Sequence, residues 1–384
     1  MPPDEPVAAA ARLEGFEHAA KALRLSSITI VPVKHPGSKS GHAAPNVVGL
    51  KLYDSYAHNG SLQAIAYFPL AVWRLVRVLR AFRCQCIIAS TPAPFVPFQG
   101  LLAARILGVP YVLDVRDSWA MESLTHLGSV RNRIKEYIER VSARNASRVW
   151  FVTRGLLERL RTDYDLNTSV VDFIPNGADL TMFRPVEGPR DIDLVFLGSP
   201  ARYRNVEGVL LGIAHLKRLM PRVRVIFVGW PGSANERVFT TAISGLGLTP
   251  NVELELAVAR SKVPFVLSRA KLGIVSFSDD DVYRAAIGAK AYEYIACGVP
   301  LACLGPPGDS ELRRMVEQHD IGFYSSTPHE FAARAHELLS VIDRWILISK
   351  KCREASKEFD RRTISERALA DHLIPMVAER ARAR

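Results

Sequence analysis

Apolar residues in this chain are distributed in two ways. Short runs such as Tyr111-Val-Leu-Asp-Val115, Ile192-Asp-Leu-Val-Phe-Leu197 and Leu272-Gly-Ile-Val-Ser-Phe277 are apolar almost throughout. They read as strands buried on both faces, the habit of parallel sheets. Between them lie longer stretches whose apolar positions return every third or fourth residue, the period of a helix lying on a sheet. The first half gives strands over 27–33, 86–90, 111–115, 148–153 and 170–175, with helices over 8–25, 69–82, 97–107 and 134–146. A second series opens at 192–198 and continues through 223–229, the weaker 251–256, 272–277 and 299–304. Alternating strands and helices predict an α/β chain of parallel crossover units. Proline, glycine and charge cluster over 185–191, which places a domain boundary near 186. The expected organisation is an N-terminal domain over 1–185, a C-terminal domain over 186–355, and a closing helix in 356–384 available to cross back to the first.

The most informative stretch is Ala289-Lys-Ala-Tyr-Glu-Tyr-Ile-Ala-Cys-Gly-Val-Pro-Leu-Ala-Cys303. Helix formers run from Ala289 to Cys297, Gly298 offers a left-handed cap, and Pro300 prevents continuation before a short strand. With the strand at 272–277 and the polar loop Ser278-Asp-Asp-Asp281 before it, the unit reads strand, loop, helix, strand. In doubly wound sheets ligands collect at the carboxyl ends of strands, against helix N-termini. Lys290 and Glu293 stand there, one turn apart. An ammonium suits a phosphate, and a carboxylate accepts sugar hydroxyls. The same spacing also fits a surface ion pair worth a few tenths of a kcal/mol, and spacing alone does not choose between the two.

Composition narrows the class. A chain of 384 residues is too long for most single cores and suits two domains. Hydrophobic residues at 48% and charged residues at 23% are ordinary globular usage, which sets disorder aside. No apolar run approaches the roughly 18–20 residues of a membrane helix, and Pro2, Pro3, Asp4 and Glu5 occupy the place of a signal peptide's basic and apolar regions. The expected location is the cytoplasm. Cys84-Gln-Cys86 has the wrong spacing for a redox or zinc pair, so reduced thiols and no structural metal are expected.

The formal charge is +11, with 23 Lys/Arg against 16 Asp/Glu in residues 1–190 and 27 against 23 in the remainder. Part of the first half's excess sits in Trp73-Arg-Leu-Val-Arg-Val-Leu-Arg-Ala-Phe-Arg83. Arg74, Arg77, Arg80 and Arg83 spread across about half a helix circumference, leaving Trp73, Leu75, Val76, Leu79 and Phe82 for the other half. Such a helix either rests peripherally on an anionic membrane surface or packs on a sheet with a solvated face. Nucleic acid is the weaker partner, since no helix-turn-helix, zinc-finger or RNA-binding signature accompanies the charge.

Four segments together resemble a known family. The run Lys290–Leu301 resembles the donor-site signature of family-4 glycosyltransferases, the retaining group with the two-domain GT-B fold. Ile174-Pro-Asn-Gly-Ala-Asp-Leu-Thr-Met-Phe-Arg-Pro185 resembles the segment closing that family's N-terminal domain, and Val195-Phe-Leu-Gly-Ser-Pro-Ala-Arg-Tyr-Arg204 its donor phosphate loop. Tyr111-Val-Leu-Asp-Val-Arg-Asp-Ser-Trp-Ala-Met-Glu-Ser123 resembles an Arg-Asp-x-Trp segment of the branch that builds bacterial surface polysaccharides. The resemblance covers most of 86–345. It implies two tandem Rossmann-like domains whose parallel sheets face across a cleft. It also implies a first strand and glycine-rich loop, for which nothing reads before the helix over 8–25. A second family glutamate falls at Ala285, an arginine at Ser199 and a lysine at Arg204, with Arg202 a partial substitute for the lost cation. Most of the wider family has histidine where Arg116 stands.

The activity implied is transfer of a sugar from a nucleotide diphosphate donor to an acceptor hydroxyl, in surface polysaccharide or glycolipid assembly. Arg204, Lys290 and Asp117 take the catalytic roles. Glu293, Gly198, Ser199, Arg202, Gly288, Ala289 and Tyr294 bind the donor, with Glu293 on the ribose. Arg116, Trp119 and Glu122 face the acceptor, lipid-linked or saccharide. The departing diphosphate gathers charge in an oxocarbenium-like transition state, which fixed cations and helix amides stabilise. No cofactor and no metal are then needed, and Asp279-Asp-Asp281 reads as a solvated loop, since hard-metal sites draw ligands from separated positions. Rival readings are a nucleotide-sugar epimerase of the same fold and a non-catalytic carbohydrate-assembly subunit. A nicotinamide oxidoreductase is disfavoured, because no Gly-x-Gly-x-x-Gly follows a strand.

Overall fold

The computed structural model describes residues 8–32, 47–50, 62–91, 95–117, 130–198, 202–229 and 234–382. They form two compact units, one on Asn176–Arg361 and one on Ala9–Pro175 together with Arg362–Arg384.

The Asn176–Arg361 unit is built on six parallel strands. β7 (Ile192–Leu197), β8 (Val225–Val228), β9 (Val252–Glu255), β10 (Ala270–Ser276), β11 (Leu301–Leu304) and β12 (Gly322–Ser325) lie in the order β12-β11-β10-β7-β8-β9. The numbering counts the strands of both units along the chain. Every residue of β7, β8 and β11 is buried, as their continuous apolar runs predict. From β7 the chain first builds outward through β8 and β9, then returns to place β10 on the other side of β7. The paired carboxyl ends of β7 and β10 are therefore the point where strand order reverses, the place where a crevice opens in a doubly wound sheet.

The other unit carries β3 (Ile87–Ser90), β4 (Tyr111–Val115), β5 (Arg148–Phe151) and β6 (Val171–Phe173), parallel and in sequence order. A separate parallel pair joins β1 (Thr29–Pro32) to β2 (Val47–Leu50). The helix Ala8–Ala22 packs Phe16, Ala19 and Ala20 on Val112, Trp150 and Ile174, and Ala368 and Leu369 complete that core from the C-terminal end of the chain. Arg12 of this helix is buried and grips the buried Asp114 of β4, with Nη2 2.7 Å from one carboxylate oxygen and Nε 2.9 Å from the other. The Arg12 guanidinium also donates to the carbonyls of Ile174 and Pro175.

The expected boundary near 186 and the structure differ. The units divide between Pro175 and Asn176, and Ala178 is bound into the later unit by backbone. Ala178 donates to the Phe359 carbonyl at 3.0 Å and accepts from the Arg361 amide at 2.9 Å. A Cβ on Gly177 would strike that same Phe359 carbonyl oxygen at 2.2 Å.

The arginine-bearing helix also departs from expectation. It spans Leu62–Ala81, and it buries Leu75, Val76 and Leu79 but leaves Trp73 55% exposed. Trp73 precedes Arg77 by four residues and Arg80 by seven, which puts it on the arginine stripe. Phe82 lies past the helix end and is 58% exposed.

Candidate functional site

The site is built from the two strand ends at the reversal point. β7 exits through Gly198 at φ +111 and β8 through Gly229 at φ +95, conformations that only glycine takes without strain. The two glycines also touch: a Cβ on Gly229 would lie 3.3 Å from the Gly198 Cα. A Cβ on Gly198 would in turn meet the Arg204 Nη1 at 2.4 Å. Arg204 closes the turn Arg202–Arg204 and folds back to donate from Nη1 to the Leu197 carbonyl at 2.9 Å, and from Nε to the Tyr203 hydroxyl at 3.1 Å. Asn205, left-handed at φ 45, caps the following helix Val206–Leu219 by accepting from the Gly208 amide. Arg204 is thus fixed between the strand end and a helix start.

The loop after β10 is stitched to this turn. The Ser278 amide donates to the Tyr203 carbonyl at 2.8 Å, and the Ser276 hydroxyl donates to the Arg204 carbonyl. Tyr203, Tyr283 and Phe277 stack in series, at 5.9 Å and 5.8 Å between centroids. Within the aspartate run, Asp280 accepts from the Ser278 hydroxyl and Asp281 pairs with Arg284 at 2.8 Å. Among the described residues, no group of three or more ligating side chains could hold a metal ion.

The helix Ala289–Ala296 begins at Gly288 with no side-chain cap and ends with Gly298 at φ +67, as the Cys-Gly-Val-Pro run predicts. Its uncapped first turn presents the positive end of the helix dipole. Lys290 Nζ lies 2.9 Å from Glu293 Oε2. This is not a solvated surface pair, because Glu293 is only 5% exposed. On its other side, Arg260 Nη2 approaches Glu293 Oε1 at 3.9 Å, beyond hydrogen-bonding distance. Oε1 thus carries no hydrogen bond among the described residues.

Tyr294 is wholly in the core rather than open to a ligand. Its phenol accepts from the Leu197 amide at 2.9 Å, and burial pushes its pKa up. Its ring lies where a Cβ on Gly273 would stand, 2.6 Å away. It shapes the site through the end of β7.

In the other unit, Thr91 ties β3 to the end of β4. Its hydroxyl accepts from the amides of Arg116 at 2.9 Å and Asp117 at 3.2 Å, and donates to the Asp117 carbonyl. Burial pulls the Arg116 pKa down, against the attraction of Asp114 and Asp117. Arg116 Nε is buried without a hydrogen-bond partner among the described residues. Burial of its carboxyl pushes the Asp117 pKa up and Arg116 pulls it back; the residue as a whole keeps exposed surface, so solvent screens that effect. Ser199, Trp119 and Glu122 lie outside the described residues, as does the side chain of Arg202. The structure therefore gathers Gly198, Arg204, Gly288, Ala289, Lys290 and Glu293 on one sheet's reversal point. Sequence reading missed Arg260, Gly229, Tyr203 and Tyr283. Only the Tyr203-Arg-Asn205 turn beside the phosphate loop carried a local signal.

Residues 9–177 match the glycosyl transferase 4-like domain, and residues 180–358 match the glycosyl transferases group 1 family. The chain belongs to the group 1 glycosyltransferases. An α-1,2-mannosyltransferase of Dictyostelium discoideum, named for GDP-Man and a dolichol-linked acceptor, is 27% identical over 140 residues, 36% of this chain and 26% of that protein. A D-inositol 3-phosphate glycosyltransferase of Segniliparus rotundus is 26% identical over 217 residues, 53% of this chain and 47% of that one. The chain thus spans about a quarter and about half of these relatives' lengths. Among solved structures, Anabaena Alr3699/HepE with UDP and glucose superposes at a TM-score of 0.72 with 18% identity, covering 96% of each chain. Sucrose-phosphate synthase of Thermosynechococcus elongatus gives 0.70 at 14% identity, over 97% of this chain and 92% of that one. WaaG, described as a glycosyltransferase involved in lipopolysaccharide biosynthesis, gives 0.66 at 13%, over 94% and 96%. At these identities the likeness shows the fold, that of GT-B glycosyltransferases.

Proposed function

We propose that this protein is a retaining glycosyltransferase that moves a sugar from a nucleoside diphosphate to an acceptor hydroxyl, in the assembly of a surface polysaccharide or glycolipid. The observation that carries the reading is the Glu293 carboxylate, held by Lys290 on one oxygen and without a hydrogen bond on the other. A buried anion with a free accepting oxygen, at the reversal point of a doubly wound sheet, suits a vicinal diol. Glu293 then takes the donor ribose, while Lys290, Arg204 and the amides at Ala289 face the diphosphate. These groups stabilise the charge that gathers on the leaving diphosphate. Metal independence follows from that assignment, since the cations meet the charge. Asp117 keeps a catalytic role along with Arg204 and Lys290, and Arg116, with Trp119 and Glu122 from the same segment, is assigned to the acceptor side. Structure neighbours solved with UDP and with UDP-glucose support a nucleotide-sugar donor.

The acceptor is proposed to be lipid-linked and met at the inner face of the membrane. Among the described residues no helix is long and apolar enough to cross a membrane. The exposed stripe of Leu70, Trp73, Arg77 and Arg80 supports peripheral contact instead, since a tryptophan among cations is the composition of an interfacial helix. The Arg77 guanidinium lies 5.5 Å from the centre of the Trp73 ring.

The test is turnover of a panel of UDP- and GDP-sugars, with and without a lipid-linked acceptor, followed by NMR of the product anomer. Transfer with retained configuration is expected. Epimerised donor without transfer would replace this reading, and a protein that binds no nucleotide sugar would remove it.

A further inference from the structure

Arg260 has no place in the family signature or in the sequence reading, yet it faces the residue on which the donor reading turns. It opens the turn Arg260–Lys262 that follows β9, far from Glu293 in sequence. Its guanidinium approaches Glu293 Oε1 at 3.9 Å, with both side chains largely shielded from solvent. The guanidinium is also 5.7 Å from the centre of the buried Phe183 ring, and its Nε is buried with no hydrogen-bond partner among the described residues. Arg260 is thus held beside Glu293 by packing and charge rather than by a hydrogen bond.

The arrangement has a consequence once a diphosphate is near. Lys290 is the only hydrogen-bonding partner of the Glu293 carboxylate among the described residues. A phosphate drawing the Lys290 ammonium toward itself would leave a buried carboxylate without its counter-ion, an unfavourable state. The Arg260 guanidinium supplies a second positive charge that does not depend on Lys290. Because it stands off Oε1 instead of bonding it, it holds the carboxylate in place by charge without occupying the oxygen a ribose hydroxyl needs.

We infer that Arg260 is a positioning residue for ribose recognition: it holds Glu293 aimed while Lys290 serves the diphosphate. The inference rests on the reading of Glu293 as the ribose ligand. It predicts that Arg260 governs discrimination between ribose and a sugar lacking its diol, with no direct contact to either.

The experiment measures binding of UDP and 2′,3′-dideoxy-UDP by calorimetry, with GDP and its dideoxy analogue in parallel, for wild type, Glu293→Gln, Arg260→Met and Arg260→Lys. Wild type should prefer the ribonucleotide. In Arg260→Met the preference should fall by about tenfold, the scale of one charge-assisted hydrogen bond, with affinity for the dideoxy analogue nearly unchanged. Arg260→Lys should restore most of it. Equal losses for both nucleotides would make Arg260 a merely structural residue and overturn the inference, as would an undiminished preference. Should Arg260→Met not fold, Arg260→Lys against Glu293→Gln still decides, because a lysine that keeps the charge must keep the preference. A wild type that binds UDP and its dideoxy analogue equally would instead overturn the ribose assignment of Glu293, and this inference with it.

Discussion

The Tyr294 hydroxyl accepts the Leu197 amide at 2.9 Å and so joins the helix that carries Glu293 to the end of the strand that leads to Gly198. The hydroxyl also donates to the Val195 carbonyl at 3.5 Å, so two buried hydrogen bonds join the halves of the proposed donor site. Tyr294→Phe would leave the Leu197 amide without its partner, at a cost of about 1–3 kcal/mol. Urea unfolding should show that loss, and nucleotide affinity should fall with it. Unchanged stability would mean that the amide finds another acceptor.

Glu293→Ala and Lys290→Ala should each weaken nucleoside diphosphate binding by about 1–3 kcal/mol. Lys290 is partly exposed, so its removal should hardly alter folding. Glu293 is buried between two cations, so its variant should also lose some stability. Calorimetry on folded protein separates the two effects. Wild-type nucleotide affinity in both variants would rule this site out.

Arg204→Ala should lower turnover by about tenfold to a thousandfold, as for loss of one charge-stabilising donor. A chelator should leave wild-type turnover intact. Strict dependence on Mg²⁺ or Mn²⁺ would overturn the assignment of diphosphate charge to Arg204 and Lys290.

Asp114→Ala takes the carboxylate partner from the buried Arg12 guanidinium and one of two acceptors from the Ser90 hydroxyl. Breaking one side of a buried pair costs about 3–5 kcal/mol. Differential scanning calorimetry should show the transition of the Ala9–Pro175 unit falling. The paired change Arg12→Met with Asp114→Leu should recover much of the loss. A single mutant as stable as wild type would show the pair to be dispensable.

Replacing Arg74, Arg77, Arg80 and Arg83 with glutamine should abolish binding to anionic vesicles and leave nucleotide binding unchanged. Each cation near such a surface contributes about 1 kcal/mol, so high salt should mimic the mutations by screening. Trp73 fluorescence gives a second readout, since an exposed indole entering the interface should shift to the blue. Wild type that ignores anionic vesicles at low ionic strength would make this an ordinary sheet-packing helix.

Much of the β7–β11 framework was legible because strands buried on both faces write continuous apolar runs. The helix Ala289–Ala296 was legible from its composition and its Gly298 stop. Trp73 is exposed because helical angle, not hydrophobicity, sets its face: arginines lie four and seven residues on. β12, a short Gly-Phe-Tyr-Ser strand, offers little apolar run to detect. Arg260 was invisible because no periodicity connects it to Glu293. Their meeting is set by the sheet and the loop that leaves β9, not by spacing. The division before Asn176 was not legible, because composition marks only the proline, glycine and charge over 185–191, whereas Ala178 is joined by backbone bonds to Phe359 and Arg361.

That fastening bears on how the molecule comes into being. The chain enters the Asn176–Arg361 unit beside the place where it leaves, at the Ala178–Asp360 bridge, and then returns to the unit it made first. Ala368 and Leu369 reach their places against Phe16 and Trp150 only after the whole Asn176–Arg361 unit has been synthesised. The Ala9–Pro175 unit is therefore begun before the Asn176–Arg361 unit and finished after it, and a nascent chain halted before residue 368 would hold an open apolar face toward its chaperones.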